Sequence, residues 1–341
     1  MFKHIAWFRL AVTVAASLLP GTGFARDVVD MTGRKVTVPD VIERVVTIGA
    51  VPVINSYVFA VGKAKTLAMA LPSSFDPALS AFQFVFAPQL ATNPQLQDAN
   101  GPDLEKLLSV RPDVVLSFEQ ATADLLTRNG ISVILLRIGT PDEVKAGVAL
   151  IAEALGNPEV GPKYAAYFDD LTARVAAKVA KIPEEKRPTV LYMNPANMTQ
   201  PHVIAEWWIP AGGGRSVTND GRTQNVLPLT TEAVVGANPD YIFVQQPSHV
   251  GVLRADPVLS QLDAVKNNRV IVSPRGAHVW GNRAVDLVLT PLWVATVLHP
   301  DAFPREELIA ESKHFYSGFF KTELSNEQVE EILSGGWDQS K

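Results

Sequence analysis

One segment occurs twice in this chain, and the repetition limits the possible folds more than any other feature of the sequence. The first copy, Glu105 to Leu116, reads EKLLSVRPDVVL, and the second, Glu232 to Phe243, reads EAVVGANPDYIF. In both copies an acidic residue stands in the first turn of a short helix, a Pro-Asp pair ends the helix, and an apolar strand follows. Another short helix and another strand come after each copy. The sequence therefore predicts two similar α/β lobes.

Between the two copies lies a long helical pattern, from Pro162 to Ile182. Its apolar residues recur at helical spacing along one side, and Pro183 stops the pattern. At 1.5 Å per residue such a helix is about 30 Å long, roughly the width of a small domain. One more amphipathic surface helix is the alternative interpretation. The position between two similar halves favours a strut that joins two lobes.

Strands alternate with helices of roughly a dozen residues along the mature chain, which is the pattern of parallel α/β layering. The predicted fold class is α/β, with two similar lobes that have central parallel-type sheets and are joined by a single long α-helix. The predicted parts are a signal peptide at 1–25, an N-terminal α/β lobe at 26–158, an inter-lobe helix at 159–186 and a C-terminal α/β lobe at 187–341. The predicted strands are 44–48, 66–70, 113–117, 133–137, 189–193, 241–245 and 269–273.

The first residues have the pattern of an export signal. Lys3 and Arg9 supply a positive end, and the apolar run 10–19 is too short to span a bilayer. Small residues then precede a predicted cleavage site before Arg26. A retained membrane anchor is the alternative. Because no later stretch has 18 uninterrupted apolar residues and no cysteine is available for a lipid anchor, we expect a soluble periplasmic protein.

Composition excludes several classes of function. The chain has 341 residues, a net charge of −5 and no cysteine, so disulfides, thiolate metal sites and cysteine nucleophiles are all ruled out. A nucleic-acid partner needs a basic face, and Lys and Arg do not cluster here beyond pairs. We expect no nucleic-acid partner and no cofactor.

Several short motifs follow one another in a specific order and spacing. They are Asp30-x-x-Gly33-Arg34-x-Val36-x-Val38-Pro39, Arg44-Val-Val-Thr-Ile48, the two Glu…Pro-Asp segments, Ala211-Gly-Gly-Gly214 and Leu292-Trp293-x-Ala295. With these motifs nearly all of the mature chain resembles the class III (cluster A) periplasmic substrate-binding proteins. Proteins of that family serve ABC importers for ferric siderophores, haem and vitamin B12.

The resemblance implies a ligand held between two lobes that the helix keeps nearly rigid, in a protein that we expect to be a monomer. It also implies one exposed glutamate per lobe that docks on arginines of the ABC importer permease, here Glu105 and Glu232. Carboxylates on both lobes would orient the protein and speed its association with the permease. The alternative is that each glutamate only favours the N-terminus of its helix. Asn55 departs from the family, in which many members carry Glu in the first helix, and we assign it no ligand role.

The loop from Arg275 to Arg283 is the strongest candidate for the ligand site, because ligands in α/β folds bind beyond the carboxyl ends of strands. Arg275 and Arg283 suit carboxylate or catecholate oxygens, and Trp280 suits stacking on an organic shell, with His278 beside it. The alternative is a surface loop whose tryptophan packs in the core.

Three further residues are candidates for the cleft. Asn194 and Asn197 follow the first predicted strand of the second lobe. Phe84 belongs to the irregular segment 73–100, whose aromatic residues either fill the core or line the cleft.

The predicted ligand is a metal chelate, with a ferric siderophore preferred. Vitamin B12, haem and an oxyanion such as molybdate, which relatives on this fold bind through Arg and backbone N–H groups, are the alternatives. The histidines show no HxH or HExxH spacing, so we expect no site for a bare metal ion. An exported enzyme is a remote alternative, because no nucleophile elbow, Walker A or dinucleotide motif follows a strand.

Overall fold

A computed structural model describes residues 25–98 and 101–335. The predicted signal peptide, 1–25, lies outside the described residues except for Ala25. Within the described ranges no helix combines the length and apolarity needed to cross a bilayer.

The strands are short, with two to five residues each. They are β1 Ala25–Val29, β2 Lys35–Pro39, β3 Val45–Thr47, β4 Gln97–Asp98, β5 Gly101–Pro102, β6 Val114–Ser117, β7 Val133–Leu135, β8 Thr189–Met193, β9 Thr199–Gln200, β10 Arg215–Ser216, β11 Leu227–Pro228, β12 Tyr241–Val244 and β13 Val270–Val272.

The helices vary more in length, and the longest is the predicted strut, α6. They are α1 Val51–Ala60, α2 Ala81–Phe86, α3 Leu104–Val110, α4 Gln120–Arg128, α5 Pro141–Ala154, α6 Val160–Val179, α7 Ala205–Ala211, α8 Thr231–Ala237, α9 Ser248–Ala255, α10 Asp263–Lys266, α11 Thr290–Leu298, α12 Arg305–Gly318 and α13 Asn326–Leu333.

Each lobe is built on a parallel sheet, of three strands in the first lobe and four in the second, and β3, β6 and β7 correspond in order to β8, β12 and β13. The first lobe has β3-β6-β7 and the second has β10-β8-β12-β13. The middle strands β6 and β12 both come from the repeated segment. Two α/β lobes with parallel sheets joined by one long helix were predicted, and the fold class is confirmed.

One predicted strand is nearly absent. Of residues 66–70, only Leu67 forms a parallel bridge, with Val45. The chain then leaves the sheet: the backbone N–H of Ala68 still donates to the backbone O of Val45, but that of Ala70 donates to the backbone O of Pro94 in the irregular segment. This bridge lies beside β3 as β10 lies beside β8 in the second lobe. The predicted strand is therefore at the right position in the sheet, but it is one residue long and not five.

The Pro-Asp pairs of the repeat have the same structural task in both lobes. The Asp113 carboxylate accepts hydrogen bonds of 2.8 Å from the backbone N–H groups of Glu43 and Arg44, just before β3. The Asp240 carboxylate accepts from the N–H and hydroxyl of Thr189, at 2.7 Å, where β8 begins. Each aspartate therefore links the start of its own middle strand to the start of the neighbouring strand.

Helices α3 and α8 also begin and end alike. Asp103 caps α3 and Thr230 caps α8, each through a side-chain oxygen that accepts from a backbone N–H three residues on. Both helices end on a residue with positive φ, Arg111 at 52° and Asn238 at 33°. The repeat in sequence is thus a repeat of local structure, with matching caps at both ends.

Helix α6 packs its apolar side into the space between the lobes, against α5, α7 and α11. Its buried residues are Gly161, Tyr164, Phe168, Leu171, Val175 and Val179. The larger of these side chains each stabilise the fold by about 1.5–3 kcal/mol. The predicted amphipathic helix is confirmed, although it begins at Val160 and ends at Val179.

Candidate ligand-binding site

A cavity of about 340 Å³ lies between the lobes, beyond the carboxyl ends of β12 and β13. The first lobe contributes the segment 74–80, and the second contributes the residues after each strand. The lining residues of the second lobe are Gln245, Gln246, Arg275, His278 and Val279. This is the position at which open α/β sheets bind ligands.

Arg275 is the most unusual side chain in this lining. It is only 8% exposed, yet it is charged. One terminal nitrogen, Nη2, donates to the backbone O of Gln245 at 2.8 Å, while Nε has no hydrogen-bond partner among the described residues. Burial lowers the pKa of Arg275 to about 10. The guanidinium therefore stays protonated near neutral pH with part of its hydrogen-bonding capacity unused.

Arg283 is a second half-buried guanidinium at the far end of the same loop. Its Nε donates to Oδ1 of Asn282 at 3.2 Å, and burial lowers the pKa of Arg283. In the described part of the chain no carboxylate forms an ion pair with Arg275 or Arg283. Arg283 does not line the cavity, so its ligand role remains a prediction, whereas the partly desolvated guanidinium of Arg275 gives the cavity a group that favours an anion.

Two histidines lie near these guanidinium groups. His278 lines the cavity, and burial, helped by Arg275, lowers its pKa well below the usual range. Burial, helped by Arg283, also lowers the pKa of His202 to about 4, and its Nδ1 lies 3.3 Å from Nδ2 of Asn225. Both imidazoles are therefore neutral near pH 7, and His278, which lines the cavity, can donate one N–H to a ligand.

The one carboxylate in the lining is Asp76, at the solvent-exposed edge of the first lobe. Its Oδ1 accepts from the backbone N–H of Ala78 at 2.8 Å, which holds it in its own turn. Among the described residues no group of three or more His, Asp or Glu side chains is arranged to hold a metal ion. The lining thus combines one buried cation, neutral amide and imidazole groups, and one exposed carboxylate, which favours the charged form of Arg275 without forming an ion pair with it.

The structure places Trp280 away from the cavity surface. Its side chain is 0% exposed, and its Nε1 donates to the hydroxyl of Tyr316 at 3.2 Å. Packing in the core was the alternative interpretation of this residue, and the geometry favours it over ligand contact. A hydrogen bond to a residue 36 positions later in the chain could not be anticipated from the loop sequence.

The asparagines and Phe84 are also outside the lining of this cavity. Oδ1 of Asn194 accepts from the N–H of Ala196, and Oδ1 of exposed Asn197 accepts from the hydroxyl of Thr199. Both amide oxygens thus serve the local turn. Phe84 lies on α2, half-buried against the main core. The ligand roles of these three residues remain predictions without support from this cavity.

Sequence reasoning missed Gln245 and His202. Gln245 directly follows β12, so the rule that ligand residues follow strands would have found it. No signal in the sequence marked His202, because it comes near the loop only through the packing of the second lobe.

Glu105 and Glu232 lie at matching places in the two lobes. Both side chains are exposed in the first turn of α3 and α8. Within the described ranges neither forms an ion pair. These positions agree with what docking would require, and the docking role itself remains a prediction.

Known proteins show the same organisation. A family model described as "Periplasmic binding protein" matches residues 76–276. The chain is 24% identical to the molybdate-binding protein MolA of Haemophilus influenzae, over 92% of this chain and 97% of that protein. It is 23% identical to an iron-uptake system-binding protein of Bacillus subtilis, over 50% of this chain and 58% of that protein.

Solved structures agree on the fold. A periplasmic solute binding protein from Veillonella parvula has a TM-score of 0.77 and 23% identity, and the match covers 91% of this chain and 97% of that one. MolA bound to molybdate has a TM-score of 0.76 and 22% identity, with 88% and 99% covered. Residues 76–276 include both copies of the repeat, the joining helix α6 and the start of the loop from Arg275 to Arg283. The chain therefore belongs to the class III periplasmic binding proteins, the solute-binding components of ABC importers.

Proposed function

We propose that this protein captures a small oxyanion of the molybdate type in the inter-lobe cavity and delivers it to an ABC importer permease. The observation that carries this proposal is the buried guanidinium of Arg275: among the described residues its Nε has no hydrogen-bond partner and no carboxylate forms an ion pair with it, the exposed Asp76 acting on it only electrostatically. A buried cation in such a state is costly, and a bound anion removes the cost. Family membership and the predicted export signal support a periplasmic location.

The size and polarity of the cavity agree with a small ligand. Its volume of about 340 Å³ lies near the lower end of the range for ligand pockets, about 300–1,000 Å³. Donors on Arg275, His278 and the amides of Gln245 and Gln246 could surround a tetrahedral anion. The similarity to a molybdate-binding protein along nearly the whole chain supports this class of ligand.

An anionic ferric chelate is the second candidate, and the apolar part of the lining favours it. Phe75, Leu79 and Val279 also line the cavity. An oxyanion makes no favourable contact with apolar side chains, whereas the organic shell of a siderophore packs against them. The ferric siderophore, preferred over an oxyanion on the sequence alone, is therefore the second candidate here.

A binding panel distinguishes the two. We would titrate the purified, dialysed protein calorimetrically with molybdate, tungstate, sulfate, ferric citrate and a ferric tris-catecholate. Molybdate and tungstate should bind with sulfate much weaker, and the same ligands should raise the melting temperature. Tight binding of a ferric chelate without molybdate binding would keep the fold and replace the ligand. Conversion of any probe to another compound would contradict a binding role.

Delivery to the permease has its own test. We expect the double variant Glu105→Lys/Glu232→Lys to bind molybdate with unchanged affinity but to lose most molybdate uptake, because reversed charges repel the permease arginines that the family implies. Uptake would be measured in cells whose own copy of the gene is replaced. The matched control is Glu153→Lys/Glu331→Lys, a pair of exposed glutamates elsewhere on the surface. Normal uptake in the first variant would contradict the docking role.

A further inference from the structure

The loop that carries the cationic side chains belongs to the second lobe, but it is hydrogen-bonded to the first. We call residues 273–284 the ligand loop. Nε2 of Gln83, on α2, donates to the backbone O of Ala277 at 2.5 Å. On α1, the hydroxyl of Tyr57 donates to the backbone O of Arg283 at 3.1 Å. The first lobe therefore contacts the ligand loop near its middle and at its end.

Gln83 has a single possible amide orientation in this setting. Its Oε1 accepts from Nδ2 of Asn55 at 2.8 Å, and Oδ1 of Asn55 accepts from the hydroxyl of Thr47 at 2.8 Å. All three side chains are buried, with at most 1% exposure. The amide nitrogen of Gln83 points the other way and donates to two carbonyl groups, the backbone O of Ala277 in the ligand loop and the backbone O of Pro52 on α1, and two carbonyl oxygens at this position require the nitrogen there.

Ala277 is also held from its other side, within the second lobe. Its backbone N–H donates to Oδ2 of Asp286 at 2.9 Å, and the hydroxyl of Tyr316 donates to the same oxygen at 3.0 Å. The neighbouring Gly276 packs so closely that an added Cβ would lie 1.9 Å from the Tyr316 hydroxyl. Both polar groups of the Ala277 backbone are thus bonded by buried side chains, one from each lobe.

We propose that Gln83 is a positioning residue, which reaches across from the first lobe and fixes the ligand loop at Ala277 so that Arg275 and His278 are held in place for the anion. Ala277 lies two residues after Arg275 and one before His278, so a change in its backbone moves both side chains. A site whose donors are held before the ligand arrives binds more tightly than one that must be ordered on binding. This inference rests on the proposed anion site.

The test replaces Gln83 with methionine, which has similar length and fills the same space but cannot bond Ala277 or Asn55. The control is Gln89→Met, because Nε2 of Gln89 also donates to a backbone O, that of Ala64, at 2.7 Å, but far from the ligand loop. We expect Gln83→Met to speed hydrogen exchange in the peptide covering 275–283 by about tenfold or more, whereas Gln89→Met leaves it unchanged.

The second measurement is binding of molybdate and of ferric citrate. For whichever probe the wild type binds, Gln83→Met should have a dissociation constant about tenfold higher, chiefly because the probe dissociates faster. The melting temperature of Gln83→Met should match that of Gln89→Met. Equal exchange and equal affinity in the two variants would overturn the proposal. If the wild type binds neither probe, the anion proposal fails, but the exchange result, which needs no ligand, still decides whether Gln83 holds the loop.

Discussion

Replacing Arg275 with methionine should weaken molybdate binding by about 30-fold or more, because truncating a buried charged partner typically costs about 2–5 kcal/mol of binding. Arg275 is 8% exposed, and among the described residues its guanidinium donates only to the backbone O of Gln245, while Nε has no partner. Calorimetric titration of wild type and variant with molybdate measures the loss. Arg254→Met, at an exposed position on α9, is the matched control and should bind normally.

The same substitution should not destabilise the ligand-free protein. Burial lowers the pKa of Arg275 to about 10, which means that the folded environment disfavours its charge. Methionine keeps most of the side-chain volume and removes that charge, so the melting temperature should be unchanged or higher. Wild-type molybdate affinity in Arg275→Met would show that this guanidinium does not hold the anion. A large fall in melting temperature would show that Arg275 is chiefly a structural residue.

Replacing Asp286 with asparagine should remove a pH dependence of stability. The Asp286 carboxyl is fully buried behind the ligand loop, with Oδ1 unpartnered. Burial raises its pKa to about 7 from an ordinary value of 3.8, although hydrogen bonds from Ala277 and Tyr316 oppose the shift. The folded protein therefore keeps this proton between about pH 4 and pH 7, where the unfolded chain has lost it.

The sign of the effect follows from that difference. The stability that this group contributes is fully present below pH 3.8 and is lost as the pH rises through 7. Between pH 5 and pH 8 the loss is about 2–3 kcal/mol, at 1.36 kcal/mol per pH unit over the interval below the folded pKa. Asparagine is neutral throughout and has the same shape. Asp286→Asn should therefore be more stable than the wild type at pH 8 and closer to it at pH 5.

Denaturant unfolding at pH 5 and pH 8 measures this free energy directly. Asp301→Asn, at an exposed aspartate after α11, serves as the control and should leave the pH dependence as in the wild type. If wild type and Asp286→Asn lose the same stability between the two pH values, Asp286 does not titrate in this range.

Much of the fold could be predicted because its signals are local. The caps of α3 and α8, the Pro-Asp pairs and the strands after them depend on residues a few positions apart, and such contacts recur wherever the same residues recur. Helix α13 shows the same local control, because Ser325 and Gln328 form a capping box at its start. The strand predicted at 66–70 was wrong in length because Ala70 bonds to Pro94 in the irregular segment, a contact that the local sequence does not indicate.

The candidate site was predictable only in part. Arg275 and His278 line the cavity and were found because they follow a strand, and strand ends of a parallel sheet meet at one edge, whereas Arg283 lies outside the lining. Trp280 looked like a ligand residue by composition, but Tyr316 on α12 gives it a buried partner. Asn55, which departs from the family pattern, has a bonding role between Thr47 and Gln83 that no motif describes.

The sequence by itself determined the two-lobe α/β architecture, the joining helix and the cationic loop, because these follow from short-range patterns of apolar, capping and charged residues. Only the tertiary structure decided which loop side chains face the cavity, and that Gln83 and Asp286 hold the loop from opposite lobes. Those contacts join residues far apart in the chain. These contacts form only when whole helices and loops pack together, and the spacing of residues along the sequence does not predict that packing.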